Sequence, residues 1–422
     1  MHSSFKHLIK NFSLERLQSL DLVGYGAYGR VFKLDEKSVI KAVDKLFLLE
    51  EEYCMNDSVL KEICFLKQYC HKNIIKLLDF NIQYDYILLH LEYGGISLSK
   101  WISNNSFEVR CKYLPHIFNQ LVDVLIYLEK LNIVHNDLKP DNIVINPETL
   151  EVKVIDWGSV SFRPECRKNN YCTLKFAPPE NLDNNIKVCS KSDIFSLSKI
   201  VKYIVFNSYD DVSNYDLHVY LKEYCDESFI DIITKISIED HEKRLSASNI
   251  TQTQIYNTIN DPSIDIVIQD YRNKLVYIKE DQRKILLNWI FEVCCNFEIL
   301  NCYSLTVWII DKYLSLRPDI KINKFQLLGV SSLILSDIFI NDGNNFSLQI
   351  GSELCNEILN ICNIENMICY IFMLLKGKIN RKLFDIYIKD VDYEIVKNIT
   401  LDMNYMSKTN DDNIVTYYNY KK

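Results

Sequence analysis

Strand character over Leu17 to Val23 and again over Val31 to Leu34 brackets a glycine-bearing stretch, and a third apolar segment, Ser38-Val39-Ile40, ends on a cation, Lys41. A helical stretch containing Val59-Leu60-Lys61-Glu62-Ile63 follows. Much further on the pattern changes. Thr251 to Asp270, rich in Gln, Asn, Asp and Thr, reads as a linker, and amphipathic helices then dominate to about residue 375. In the first, Leu286, Ile290, Val293, Cys294 and Phe297 share one face. In the second, Leu305, Ile309, Tyr313 and Leu316 do the same, the spacing of helices packed on one side. A mixed α+β region followed by a bundle of some five helices is expected.

The 422 residues allow two or three domains at roughly 150 each. Ordinary hydrophobic and charged content, 48% and 25%, with few glycines and prolines, indicates a folded globular chain. A net charge of -8 argues against a chain that neutralises phosphate backbones, so no nucleic acid is expected as a partner. The polar, mixed opening reads as no secretory signal. The greasiest stretch, Leu327 to Ile340, is broken by Asp337 and falls short of the roughly 20 residues needed to cross a bilayer. No membrane partner and an intracellular location, cytoplasmic or nuclear, are therefore expected. The 14 cysteines form no CxxC pair, which fits a reducing compartment. Cys355, Cys362 and Cys369 recur every seven residues and read as small buried hydrophobes near one helical face.

Gly24-Tyr-Gly26-Ala-Tyr-Gly29-Arg-Val31 lies between two strands. Glycines at this spacing let backbone N–H groups approach phosphates. A dinucleotide fold would begin a helix at the third glycine, so the strand on both sides favours a phosphate-covering hairpin. Lys41 on the next strand would reach those phosphates, with Glu62 as the carboxylate that holds it. Taken singly, Lys41 reads as a solvated strand residue and Glu62 as an exposed helix residue; their order after the glycine loop reverses that.

Further along stand Ile133-Val-His135-Asn136-Asp137-Leu138-Lys139-Pro140-Asp141-Asn142 and Val152-Lys-Val-Ile155-Asp156-Trp157-Gly158. With these motifs the chain resembles the eukaryotic protein kinases from about residue 18 to 255. The resemblance implies a two-lobed kinase fold, with ATP and Mg2+ as cofactors and a protein substrate. Asp137 would be the catalytic base, Lys139 would neutralise the transferring phosphoryl group, and Asn142 and Asp156 would hold the metal. Gly24, Gly26, Gly29, Val31, Val39, Lys41 and Glu62 belong to the implied nucleotide site. Leu91 would gate the pocket, with Glu92, Tyr93 and Gly94 contacting adenine through their backbone. Thr173-Leu-Lys-Phe-Ala177-Pro178-Pro179-Glu180 looks like the end of an activation segment, and Glu180 would pair with Arg244. Lys139 together with Thr173 resembles the serine/threonine-specific kinases. Asn56 to Lys67 looks like a degenerate helix of the cyclin-dependent kinases, keeping Glu62.

In the second half, Gln282-Arg283 to Val293, Ile310-Asp311-Lys-Tyr313-Leu314 and Phe325-Gln326-Leu327-Leu328-Gly329-Val330 resemble the first three helices of a cyclin box. That resemblance implies an internal ion pair between Arg283 and Asp311; without it the two read as surface charges. Asp337 stands where the pattern has a lysine that grips the kinase helix, and Glu365 falls where it has a second grip residue. The expected organisation is an N-terminal extension (1–17), small lobe (18–94), large lobe (95–255), linker (256–270), all-α cyclin-like domain (271–380) and tail (381–422). The expected function is a serine/threonine kinase of cyclin-dependent type, activated in cis by its own cyclin-like domain as intramolecular partner. A catalytically inactive kinase-cyclin scaffold is the alternative, and a small-molecule kinase is disfavoured by the Thr173–Glu180 segment. Lys61 and Asn136 occupy positions where the family clamps a phosphothreonine with arginines, and no serine or threonine lies between Ser161 and Thr173. Activity without a phosphate on that segment is therefore expected, with Arg163, Arg167 or Lys168 reaching an acidic group such as Asp337. Tyr28 matches a tyrosine whose phosphorylation inhibits cyclin-dependent kinases.

Overall fold

The computed structural model describes residues 16–17, 19–26, 29–44, 56–83, 86–162, 173–182, 188–208, 213–250, 274–343, 345–355 and 359–379. Tyr28, the residues 163–172 with their three cations, the expected linker and the expected tail lie outside the described residues. The chain divides into two compact units, one carrying Ser58–Asp261 and the other Pro262–Lys422.

In the first unit, strands β1 (Leu22–Gly26), β2 (Gly29–Asp35), β3 (Ser38–Asp44), β4 (Leu77–Ile82) and β5 (Tyr86–Glu92) form an antiparallel sheet in the order β1-β2-β3-β5-β4. Central β3 is buried on both faces for six of its seven residues, which is why its cation is held inside the protein. The first strand begins at Leu22, not at Leu17 as its apolar residues suggested. Arg16 and Leu17 are helical, and Leu17 instead packs with Phe32, Ile40, Ala42 and Leu88. Helix α1 (Asn56–Gln68) buries Leu60, Ile63, Cys64 and Phe65.

The rest of this unit is mainly helical. Strands β6 (Ile96–Ser97), β7 (Ile143–Ile145) and β8 (Val152–Val154) make a small antiparallel sheet. It lies among helices α2 (Leu98–Asn104), α3 (Phe107–Lys130), α4 (Pro179–Leu182), α5 (Ser190–Phe206), α6 (Asn214–Leu221), α7 (Glu227–Ile236) and α8 (Ala247–Ile250). Ser97 starts α2 by accepting the Lys100 N–H with its hydroxyl. Helix α5 is buried along most of its length and packs on α3. The expected Glu180–Arg244 pair is present, with two bonds of 2.5 and 3.1 Å and both side chains out of solvent. The three remaining Arg244 bonds go to the carbonyls of Ile238, Lys191 and Glu239, so the buried guanidinium is well satisfied.

The second unit holds five α-helices among the described residues: α9 (Glu280–Asn296), α10 (Tyr303–Leu316), α11 (Phe325–Asn341), α12 (Leu348–Leu354) and α13 (Ile361–Leu374). Helix α11 is buried almost end to end and packs against each of the other four. An all-round apolar helix is a bundle's centre here; no helix among the described residues is long and apolar enough to cross a membrane. Gly329 lets α9 approach it, since a Cβ there would stand 2.8 Å from a Leu286 methyl.

The internal ion pair that the cyclin-box resemblance implies is present: Arg283 and Asp311 are fully buried and joined by bonds of 2.8 and 2.6 Å. Other expectations change. Asp337 is also fully buried. Its carboxylate accepts from the backbone N–H groups of Asn345 and Phe346 and from the Asn341 amide, so it closes the end of its own helix and is no exposed acid for an approaching cation. Leu316 is exposed. Cys355 and Cys369 are buried but Cys362 is exposed, and Cys355 follows α12 whereas the other two sit on α13, so the three do not share a helical face.

Candidate functional site

The site is assembled from the sheet, α1 and two loops of the first unit. β1 and β2 form the expected hairpin, with Gly26 opposite Gly29, Gly24 opposite Val31, and Val31 opposite Lys41. The glycines answer to different needs. A Cβ on Gly29 would lie 2.5 Å from the Ala42 carbonyl oxygen, so the sheet itself requires that glycine, whereas a Cβ on Gly24 would meet nothing within 4 Å among the described residues. The fold alone gives no reason for glycine at 24, which suits a position kept bare for a ligand.

Lys41 Nζ stands 2.7 Å from a Glu62 carboxylate oxygen and 3.0 Å from one of Asp156. Burial disfavours the ammonium, but the charges of Asp156 and Glu62 outweigh it and hold the Lys41 pKa above its ordinary value. Burial raises the Asp156 carboxyl, but the charge and hydrogen bond of Lys41, together with the charges of His135 and Lys139, outweigh it for a net depression. Glu62 is pushed upward by burial, with Lys41 opposing. Three residues distant in sequence are thus joined into one charged chain, and Glu62 also accepts the Trp157 backbone N–H.

Asp156 precedes a single helical turn, Trp157–Ser159, and has a left-handed backbone with φ of 60°. The turn is held by aromatic packing. The Trp157 indole is fully buried, stacks on Phe65 of α1 with centroids 3.9 Å apart, lies edge-on to His135 and donates to the Val154 carbonyl. A Cβ on Gly158 would meet the Ser58 hydroxyl at 2.1 Å. Ser58, Glu62 and Phe65, one face of α1, therefore all bear on this turn.

Asp137 is tied on both carboxylate oxygens. One accepts the Thr173 N–H at 3.0 Å and its hydroxyl at 2.7 Å; the other accepts Lys139 Nζ at 2.7 Å and the Asn142 amide at 2.9 Å. Lys139 also donates to the Thr173 hydroxyl at 2.7 Å. The loop carrying Asp137 is hung from α5, where Asp193 accepts the His135 and Asn136 N–H groups at 2.7 and 3.0 Å. Thr173 was read as a marker of specificity and proves a direct partner of Asp137. Sequence alone gives no sign of Asp193's part or of the Trp157–Phe65 stack, because the contacts cross 58 and 92 residues of sequence.

Val39 and Leu91 pair across β3 and β5 and are both buried. The backbone expectation for the segment after Leu91 narrows. The Glu92 N–H is bonded to the Lys76 carbonyl and the Tyr93 N–H to that of Lys37, which leaves Gly94 as the donor of the three with no such bond among the described residues. The Glu92 side chain accepts from the Lys76 N–H and pairs with Lys153.

The residues suit a nucleotide with its metal. The Asn142 amide nitrogen donates to the Asp137 carbonyl and carboxylate, which leaves its oxygen to act as an acceptor. Lys41 engages one Asp156 oxygen, and that side chain keeps 25% exposure. Two oxygen acceptors of this kind fit a hard divalent cation.

The family model for the protein kinase domain matches residues 17–256, and that for the cyclin N-terminal domain matches residues 252–340. CTD kinase subunit alpha of Schizosaccharomyces pombe is 26% identical over 211 residues, 47% of this chain and 35% of that protein. Calcium-dependent protein kinase 5 of Plasmodium berghei is 33% identical over 214 residues, 48% of this chain and 36% of its own length. A probable cell division protein kinase of Encephalitozoon cuniculi is 32% identical over 185 residues, 43% of this chain and 68% of that protein. The chain thus spans 35% and 36% of the first two relatives' lengths.

Proposed function

Since the chain belongs to the protein kinase family and carries a cyclin N-terminal domain behind its kinase domain, we propose that it transfers the γ-phosphoryl group of ATP to serine or threonine hydroxyls of proteins, as a kinase of cyclin-dependent type. The observation that carries this reading is the Lys41 ammonium held at 2.7 Å by Glu62 and at 3.0 Å by Asp156. Such a cation is needed against the triphosphate, and its carboxylate partner fixes its place.

In the proposed reaction Asp137 accepts the proton of the acceptor hydroxyl, whose oxygen bonds to the γ-phosphorus as the bond to the leaving ADP breaks. Lys139 offsets negative charge on the group in transit, and Lys41 orients the phosphates behind it. Asn142 and Asp156 would hold Mg2+, which when bound neutralises phosphate charge. Thr173, bonded to both Asp137 and Lys139, keeps base and cation in register.

The cyclin-like unit acts in cis. A linker of about 15 residues reaches roughly 50 Å and keeps the two units at an effective concentration near millimolar. The activation segment works without phosphate. Asn136 is a neutral side chain turned into the loop, which supports this reading, because it offers no charged grip to a phosphate.

The 422-residue chain made without eukaryotic kinases, and shown by mass spectrometry to be phosphate-free over 156–180, is expected to label a peptide library from radiolabelled ATP, with Asp137→Asn as the inert control. Equal labelling by that control would remove the kinase reading. Material that gains activity only after phosphorylation of Tyr171 or Thr173 would remove the phosphate-free one. Cleavage between residues 255 and 270 tests activation in cis: the kinase half should slow and recover when 271–422 is added back.

A further inference from the structure

Val134 and Ser161 exchange two backbone hydrogen bonds of 3.1 and 2.9 Å, pairing the catalytic loop with the first residues after the Trp157 turn. Beside this bridge the Asn136 side chain, 4% exposed, donates from one nitrogen to the Ser159 carbonyl at 3.0 Å and to the Val134 carbonyl at 3.3 Å. Among the described residues its buried amide oxygen has no hydrogen-bond partner. Turned the other way round, that oxygen would face two carbonyl oxygens, so the donors decide its orientation. The backbone of Asn136 is left-handed, with φ of 69°. Asparagine is among the few residues that tolerate this conformation while carrying two hydrogens on a single side-chain nitrogen.

We propose that Asn136 is a positioning residue that anchors the start of the activation segment to the catalytic loop, replacing a charged clamp on a phosphate with a neutral grip on two carbonyls. The inference rests on reading the chain as a kinase. It accounts for both ends of the segment being tied to one short loop: Ser159 and Ser161 through Asn136 and Val134, and Thr173 through Asp137. A neutral amide suits a site this deep, because a buried guanidinium would require a carboxylate or several carbonyls to offset its desolvation.

The test uses the full chain with Asn136→Gly, which keeps the left-handed backbone accessible but removes both donors, and Asn136→Asp, which keeps the size but not the donors. Loss of these bonds should lower kcat about tenfold in each variant. KM for ATP should stay within about twofold, since Asn136 touches no nucleotide-binding group. Hydrogen exchange of the Ser161 amide, whose acceptor carbonyl also receives Asn136, should accelerate about tenfold. Unchanged kcat with unchanged Ser161 exchange in Asn136→Gly would overturn the proposal, as would a loss lying wholly in KM for ATP. Should the wild-type chain transfer no phosphate at all, the kinase reading fails, and Ser161 exchange still decides the anchoring.

Discussion

Glu62 offers the sharpest test of the charged chain at the site, because its two neutral replacements remove different amounts of it. Lys41 Nζ donates to Glu62 at 2.7 Å and to Asp156 at 3.0 Å, with the Glu62 side chain only 2% exposed. A hydrogen bond involving a charged group contributes about 1.5–3 kcal/mol net, against about 0.5–1.5 kcal/mol for a neutral pair. Glu62→Gln keeps an acceptor of the same length and loses the charge, a cost of about 1 kcal/mol or roughly fivefold in kcat/KM. Glu62→Ala loses the whole contact, costs about 2–3 kcal/mol, and should lower kcat/KM roughly 30- to 150-fold. In the alanine variant Lys41 retains only Asp156, so apparent Mg2+ affinity should weaken as well. The assay is steady-state transfer from radiolabelled ATP, repeated across Mg2+ concentrations. In a Lys41→Met background, where turnover is low, nucleotide affinity measured by fluorescence titration completes the double-mutant cycle. The Glu62 effect should vanish there. Single variants within twofold of wild type, or a Glu62→Ala penalty that survives undiminished without Lys41, would refute the reasoning.

Asp311→Ala should destabilise the cyclin-like unit by about 3–5 kcal/mol, since it leaves the buried Arg283 guanidinium without its carboxylate; calorimetry should show a lowered transition for that unit, and a loss under about 1 kcal/mol would contradict the burial argument. Burial raises the Asp337 carboxyl above its ordinary value of 3.8. Its ionised form is thus disfavoured by folding, and stability is lost as pH rises through the raised folded value. Asp337→Asn should remove that loss, so the difference in midpoint between variant and wild type should grow from pH 3 toward neutrality and then level off; a difference constant with pH would count against it. Gly29→Ala should lower the melting temperature of the kinase unit, because its Cβ meets the Ala42 backbone. Gly24→Ala should leave melting unchanged and raise KM for ATP; the opposite assignment would show that the two glycines have been misread.

The residues that the structure gathers at the site were legible because they stand in short local motifs: Lys41 lies on a strand, Asp137 and Asn142 lie five residues apart, and Asp156 follows an apolar strand. What supports them was not, for a physical reason. Asp193, Trp157 and Phe65 act through contacts that only folding creates, and nothing adjacent to them in sequence signals the partner. Burial was the second blind spot. Taken singly, Arg283 and Asp311 look like solvated charges, and only the cyclin-box resemblance pairs them; Asp337 looks like a free acid until the helix end it closes is visible. The strand boundary at Leu22 was missed because Leu17, though apolar enough for a strand, is used instead to cover the sheet.

The suspension of the Asp137 loop from α5 has a thermal consequence. Asp193 lies within a helix buried along most of its length, and it holds the two backbone N–H groups immediately before Asp137. Local opening cannot move the Asp137 carboxylate without also stripping a buried acid of two donors, a cost of about 3–6 kcal/mol. Heat should therefore remove turnover and the large-lobe fold at one temperature, whereas a loop fastened only at the surface would lose its aim many degrees earlier.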